Sequence, residues 1–405
     1  MPSTPHDDSD LRAVNAKIAD AYDRAPYDPV AILGIDPERI LGLAALHGGG
    51  PQSAAYDVLD LGCGTGGQLA RVGALTAGRL IGTDLSQSAC ALAEERCAVF
   101  GDRARIICAD FLSLDAAQLG TFDLIYHVGV FYITPPEVQR HLLKLIAGCL
   151  KPGGVAVISY YFGASILLMS GLQHALRLAV DPKAPPGVQV QSARRRINDI
   201  AESLARQGGD HKTMLSVLQH ANARSDSIFF HELLNQSFAA ISTAALEDAF
   251  SAHGVHFLNW MAPGPLGAIP SARERAIAAD VFDFAGGGYH YAVFGKCDAT
   301  RAANMQAPSL RWQTRMARTT PAATSRPITY RDAALGLSVT ANVVVEAALD
   351  LLAAGPLGWD ALSAGVEGTL AARGLKVRDT LATLAAELSV LWQHGLVTPL
   401  WTPVD

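Results

Sequence analysis

Apolar and polar positions come in short, ordered blocks over the first two thirds of the chain. Val58-Leu59-Asp60-Leu61 is a brief, mostly apolar run that ends in Gly62-Cys63-Gly64-Thr65-Gly66-Gly67, after which Leu69, Val72 and Leu75 recur on one side of a helix. That pattern predicts strand, tight loop and helix, the opening unit of a doubly wound sheet. Further strands are predicted over 79–83, 105–108, 122–126 and 155–159. Between them run helices, one capped by Ser86 and one over 136–149 that stops at Lys151-Pro152-Gly153-Gly154. The regular alternation then gives way to a mostly helical insertion over 161–243. Strands resume at 255–260 and 289–295, the second with alternating polarity that suits an antiparallel edge.

The same pattern divides the rest of the chain. Residues 1–55 read as a helical cap closed by Gly48-Gly49-Gly50-Pro51, with Tyr22 and Tyr27 in a proline-restrained stretch. Residues 56–300 form the α/β domain. Residues 301–328, rich in Ala, Pro, Thr, Ser and Arg, read as a linker. The last segment, 329–405, predicts helices over 342–353 and 377–392 and a short strand pair near 395–401, an outline like a winged helix.

Composition narrows the function classes. Half of the 405 residues are hydrophobic, 17% are charged and the formal net charge is −6, which fits a folded protein and argues against sequence-independent binding to nucleic acid. Residues 1–8, MPSTPHDD, offer no basic end and no apolar core, so a leader is not expected, and apolar stretches interrupted by residues such as His174 and Arg177 make a membrane span unexpected. The six cysteines at 63, 90, 97, 108, 149 and 297 form no Cys-x-x-Cys pair and read as reduced thiols of a cytoplasmic protein. His231-Glu232 is followed at 235 by Asn, so it is not a His-Glu-x-x-His zinc motif, and no metal is expected.

The glycine loop fits two templates. Gly62, Gly64 and Gly67 give the dinucleotide pattern, whereas Asp60 with Gly62, Gly64 and Gly66 gives the loop of S-adenosylmethionine (SAM) enzymes. Asp84, at the end of the second strand, suits the ribose hydroxyls of either cofactor. Asp110 after the third strand, with Phe111 beside it, is placed for an adenine amino group and its ring, and Asp60 for the ammonium of a methionine moiety. An acid at 110 is more expected for SAM than for a nicotinamide dinucleotide. The segments VLDLGCGTGG, LIGTDLS, IICADF, FDLIYHVGVFY and LKPGGVAVIS, in that order, resemble class I SAM-dependent methyltransferases. The resemblance implies a Rossmann-like sheet and SAM contacts at Asp60, Gly62, Gly64, Gly66, Asp84, Leu85, Asp110 and Phe111, and around His127 and Val128.

A narrower resemblance spans nearly the whole chain. Tyr22-Asp23 with Pro26-Tyr27, HVGVFYITP, SYYFG and FFHELLNQ are similar to bacterial protein lysine methyltransferases that carry a C-terminal regulatory region, although an Asn and a Trp are common in that family where SYYFG stands here. It implies methyl transfer to a protein or peptide nucleophile, lysine above others, with residues 329–405 as the regulatory-like region and as a surface for self-association. Other readings stay open: a small-molecule N- or O-methyltransferase, a non-catalytic SAM-binding regulator, and a nucleotide-dependent oxidoreductase. An amine acceptor must be neutral when it attacks, so His127 and His231, which titrate near neutrality, are the proton-acceptor candidates, with Tyr22 as a third catalytic candidate. Tyr22, Tyr27, Tyr126, Phe131, Tyr160 and Tyr161 are the candidate aromatic lining.

Overall fold

The computed structural model describes residues 18, 20, 22–23, 34–207, 209–234, 240–261, 266, 269, 271–282, 284, 288–298, 303–320, 327–334 and 336–403, side chains at 165 and 167 excepted. Tyr27 and Asn235 lie outside this set.

Seven strands form one sheet: β1 (Val58–Leu61), β2 (Leu80–Asp84), β3 (Ala104–Cys108), β4 (Phe122–His127), β5 (Leu150–Tyr161), β6 (His256–Trp260) and β7 (Tyr289–Gly295). Their order is β3-β2-β1-β4-β5-β7-β6. β1 to β5 run parallel, and β7 is antiparallel to both β5 and β6. β1 is buried at every position, as a central parallel strand covered on both faces must be. β5 starts five residues earlier than its apolar run suggests. Lys151 to Gly154 do end the preceding helix, but they also enter the sheet through an irregular register opposite Phe122 and Leu124, eased by Gly153 at φ 80°.

Helices cover both faces. α1 (Pro37–Leu46), α2 (Gly67–Gly73) and α3 (Gln87–Cys97) precede α4 (Pro136–Cys149), and a single turn, Ala116–Leu119, follows β3. Ser86 Oγ accepts from the Ala89 N–H at 3.1 Å and caps α3 as its position predicts. On one face Val58, Tyr126, Val155 and Val157 pack with α1; on the other Leu59, Ile125 and Ile158 pack with α4 and with α9 (Thr243–Ser251) and α10 (Ala272–Phe282). The insertion is helical as predicted: α5 (Ala164–Leu178), α6 (Pro186–Gln207), α7 (Lys212–Asn222) and α8 (Asp226–Leu233) bury a small core of their own around Leu176, Val190, Leu218 and Phe229.

The expected linker is a correction. Within 301–328 lie β8 (Leu310–Thr314) and β9 (Ala317–Arg318), and Trp312 of β8 is fully buried with its Nε1–H donating to the Met305 carbonyl at 3.1 Å. An alternating Leu-Arg-Trp-Gln-Thr strand was hidden in a composition that resembles a linker. β8 lies between β12 (Leu357–Gly358) and β13 (Val397–Trp401), while β10 (Ile328–Asp332) pairs with β9 and with β11 (Leu337–Ala341). With α11 (Val343–Leu352), α12 (Trp359–Ala372) and α13 (Thr380–Gln393), the C-terminal part is mixed helix and sheet. Its apolar residues, among them Leu349, Leu388 and Trp401, join α1 and one face of the large sheet in a single cluster. At the seam, a Cβ on Gly42 of α1 would come within 2.5 Å of the Pro399 carbonyl oxygen of β13.

Candidate active site

In a parallel sheet the side chains that can meet a ligand stand beyond the carboxyl ends of the strands. The loop after β1 is folded by three left-handed glycines, Gly62 (φ 85°), Gly64 (φ 51°) and Gly66 (φ 77°). A Cβ on Gly62 would strike Val130 at 2.5 Å, so that glycine is needed for packing against the loop after β4. A Cβ on Gly64 would meet nothing within 4 Å, so this glycine leaves its backbone open to a ligand. Its N–H donates to Asp84 Oδ2 at 2.8 Å, and the Ser86 N–H donates to Oδ1 at 3.0 Å. The ends of β1 and β2 are thereby tied together through one carboxylate.

Two acids face each other here. Asp60 is 4% exposed, and burial first and the Asp84 charge second push its pKa up to about 7. The Asp84 carboxyl is also raised by burial, against the opposing pull of the Ser86, Gly64 and Leu85 N–H groups. Two mutually repelling carboxylates in a shielded site are relieved by a cation. SAM carries an ammonium and a sulfonium, so this acid pair together with the open Gly64 backbone fits it. When bound, SAM supplies a methyl group on a positively charged sulfur.

The next positions are set by β3 and β4. Asp110 Oδ1 accepts from the Leu112 N–H at 2.9 Å and caps the turn Phe111–Ser113, which holds Phe111 edge-on to the His127 ring at 5.8 Å between centroids. His127 is fully buried. Its Nδ1–H donates to the Leu61 carbonyl at 2.8 Å, since a carbonyl can only accept, and burial lowers its pKa to about 4. Such an imidazole stays neutral, and its complete burial counts against His127 as a catalytic base. Val128 and Leu85 are half-buried at the ends of β4 and β2.

Tyr22 and Asp23 reach this site from the N-terminal segment. Asp23 Oδ1 accepts from Ser86 Oγ at 2.6 Å and Ser88 Oγ at 2.9 Å, and the Ser86 bond is the main reason its pKa is lowered. The Tyr22 ring stacks on His231 of α8, centroids 4.0 Å apart and planes 9° apart. Burial and the Asp84 charge raise its hydroxyl pKa. Tyr22 therefore stands between the cofactor-side acid and the helical insertion. His231 is 3% exposed and also meets Phe230 edge-on.

Beside it lies a group that the sequence reading only partly found. Tyr132, Tyr161 and Tyr289 pack on one another, with Tyr161 and Tyr289 centroids 4.6 Å apart and Tyr132 and Tyr161 4.8 Å apart. The Tyr132 hydroxyl donates to Glu232 Oε1 and the Tyr161 hydroxyl to Oε2, both at 3.4 Å, while Arg224 pairs with the same carboxylate. Ser159 Oγ accepts from the Gly129 N–H at 2.7 Å and from the Tyr289 hydroxyl at 2.9 Å. Of the expected aromatic lining, Tyr161 belongs to this cluster. Tyr126 and Tyr160 do not: the Tyr126 hydroxyl donates to the Ile35 carbonyl under α1, and Tyr160 shares a bond with Thr243 and accepts from Trp260 Nε1 on the opposite face. Phe131 is core packing against His127.

Among the described residues no group of three or more His, Cys, Asp or Glu is placed to hold a metal ion, and no helix is long and apolar enough to cross a membrane.

Residues 58–154 match the family described as a methyltransferase domain. One curated relative, an uncharacterized protein of Rickettsia prowazekii, is 29% identical over 143 residues, which are 35% of this chain and 57% of that protein's length. The structure of PKMT2 from Rickettsia typhi is superimposable with a TM-score of 0.71 at 18% identity, covering 92% of this chain and 77% of that one. The same enzyme in complex with AdoHcy gives the same score. The fold, the glycine loop and the family match define a class I SAM-dependent methyltransferase domain, whose cofactor is SAM. The fold of PKMT2 extends the likeness through the insertion and the C-terminal part, although the shared identity is low.

Proposed function

We propose that the chain methylates the side-chain amine of lysine in a protein or peptide. The observation that carries this reading is the Tyr132–Tyr161–Tyr289 cluster at Glu232, whose neighbour His231 stacks on Tyr22, which in turn feels the Asp84 charge. Aromatic faces and a carboxylate attract an ammonium and hold it within reach. To attack, the amine must lose one proton, and Glu232, oriented by Arg224 and two tyrosine hydroxyls, is the group positioned to receive it or to hold the amine after the loss. Tyr22 and His231 close the wall between cofactor and acceptor, excluding water so that the amine meets the methyl group in line. Asp60, Asp84, the loop glycines, Leu85, Asp110, Phe111 and Val128 hold SAM in this reading. The insertion 161–243 shapes the acceptor pocket, and residues 329–405 contact the protein partner.

The motif resemblance and the likeness to the PKMT2 fold support lysine. The test is transfer of isotope label from SAM into a lysate of the native host, read by mass spectrometry. Label on lysine side chains is the expected result. Label confined to small metabolites would overturn the lysine reading, and tight SAM binding without transfer to any species would favour a regulator.

A further inference from the structure

A second site lies at the β6 edge of the sheet, four strands from β1 and its glycine loop, and belongs to no step described above. Edge strand β6, helices α1 and α13 and strands β8 and β13 line an open cavity of about 160 Å³. Its polar walls include Arg39, Asn259 and Arg315, beside Gln313, Thr314 and Thr398, and its apolar walls include Leu43, Met261 and Trp392. Arg39 is half-buried, and its guanidinium donates to the carbonyls of Gly34 at 3.1 Å and Met261 at 3.2 Å. Among the described residues no carboxylate pairs with it. Asp36, whose charge reaches it, is held by Arg71, and Arg315 is held at 3.2 Å by Asp332. Burial depresses the Arg39 pKa, the Asp36 charge opposes that and the Arg315 charge adds to it. Asn259 is 4% exposed. Its Oδ1 accepts from the Trp260 N–H at 2.8 Å, and its Nδ2 donates to no group among the described residues.

We infer that this cavity binds a small organic carboxylate with an apolar body, its carboxylate held between the Arg39 and Arg315 guanidinium groups and the Asn259 amide. A guanidinium fork matches a planar carboxylate in two parallel bonds, and the apolar part of the wall takes an organic body that an inorganic anion lacks. A cavity of this volume takes an apolar body of about the size of benzene. A ligand seated there touches the methyltransferase sheet edge through Asn259 and Met261 and the C-terminal part through Arg315 and Trp392, so it couples the two and stabilises the folded chain by mass action.

Benzoate is the probe, titrated by calorimetry into the full chain saturated with AdoHcy, with benzyl alcohol and inorganic phosphate in parallel. The expected result is saturable one-to-one binding of benzoate and a rise in melting temperature, with benzyl alcohol and phosphate at least about tenfold weaker. Arg39→Met is expected to weaken benzoate by about tenfold or more. Arg315→Gln, whose amide can still donate to the buried Asp332 carboxylate, is expected to weaken it in the same direction and decides the matter if Arg39→Met does not fold, its own folding being checked by its thermal melt. Absence of saturable benzoate binding at millimolar concentration overturns the inference. So does equal binding by Arg315→Gln, an equal affinity for benzyl alcohol, or a preference for phosphate.

Discussion

Asp60 and Asp84 set the chemistry at the scale of single residues. Asp84 ties the first two strand ends through Gly64 and Ser86, and replacing it by Ala is expected to weaken SAM by roughly tenfold to a hundredfold in calorimetry, the range for loss of bonds to a charged group. Unchanged affinity in Asp84→Ala would place SAM elsewhere. Asp60 gives a pH dependence. Its pKa of about 7 stands above the ordinary carboxylate value, so the folded chain without ligand keeps a proton that the unfolded chain has already lost. That contribution to stability is complete below the unfolded value and disappears as pH rises through about 7. Binding runs the other way, because the ionised form attracts the ammonium. SAM affinity is expected to climb as pH rises through about 7 and then level, with proton release on binding below that point. Asp60→Asn is expected to flatten the curve, and a wild-type curve already flat over that range would remove Asp60 from the contact. These acids and the glycines were legible in the sequence because each sits at a strand end within a few residues of its neighbours. Glu232 with Tyr132 and Tyr289 was not legible as an acceptor site, since residues 132, 161, 224, 232 and 289 meet only after folding.

Two elements carry further expectations. The N-terminal Tyr22 segment touches α8 through the His231 stack and β2 through Asp23 and Ser86. Tyr22→Ala is expected to lower methyl-transfer rate while shifting the melting temperature little, because the ring is half-buried at a wall and lies outside the apolar clusters. A variant that melts far earlier yet turns over normally at low temperature makes Tyr22 a packing residue. In α1 the expectation is reversed. Gly42 faces the backbone of β13, and backbone cannot rotate away as a side chain can, so Gly42→Ala is expected to cost about 1–3 kcal/mol of stability in thermal or denaturant unfolding, with SAM affinity in the surviving native fraction unchanged. The strand periodicity read from sequence gave β1 to β7 nearly in place. It did not tell which of Tyr160 and Tyr161 faces the acceptor, because adjacent strand residues point to opposite faces and only the packing of α8 against one face chooses between them.

For the whole molecule, the decisive feature is the apolar cluster that runs from the α/β sheet through α1 into α11, α12 and α13. A tail joined by a linker would leave the α/β domain intact on removal. The observed packing predicts otherwise: a chain ending near residue 300 uncovers Ile40, Leu41 and Ala44 of α1, and it is expected to aggregate or lose its cooperative melt and with it SAM binding. A soluble truncated chain with full SAM affinity would show that the C-terminal part is dispensable for folding.

The sequence alone determined the elements and the cofactor loop, because hydrophobic period, glycine at left-handed positions and acids at strand ends are local properties that act before any tertiary contact. It also pointed to the helical insertion, since a run of helical period between strands has nowhere else to go. What only the tertiary structure decided is which side chains converge. Trp312 turned a linker-like composition into a buried strand because β13, some 85 residues later, supplied its partner. Arg39 and Arg315 came to share a cavity, and Glu232 came to stand among three tyrosines, for the same reason: burial and pairing across long chain separations are set by how layers stack, and no local pattern encodes that distance.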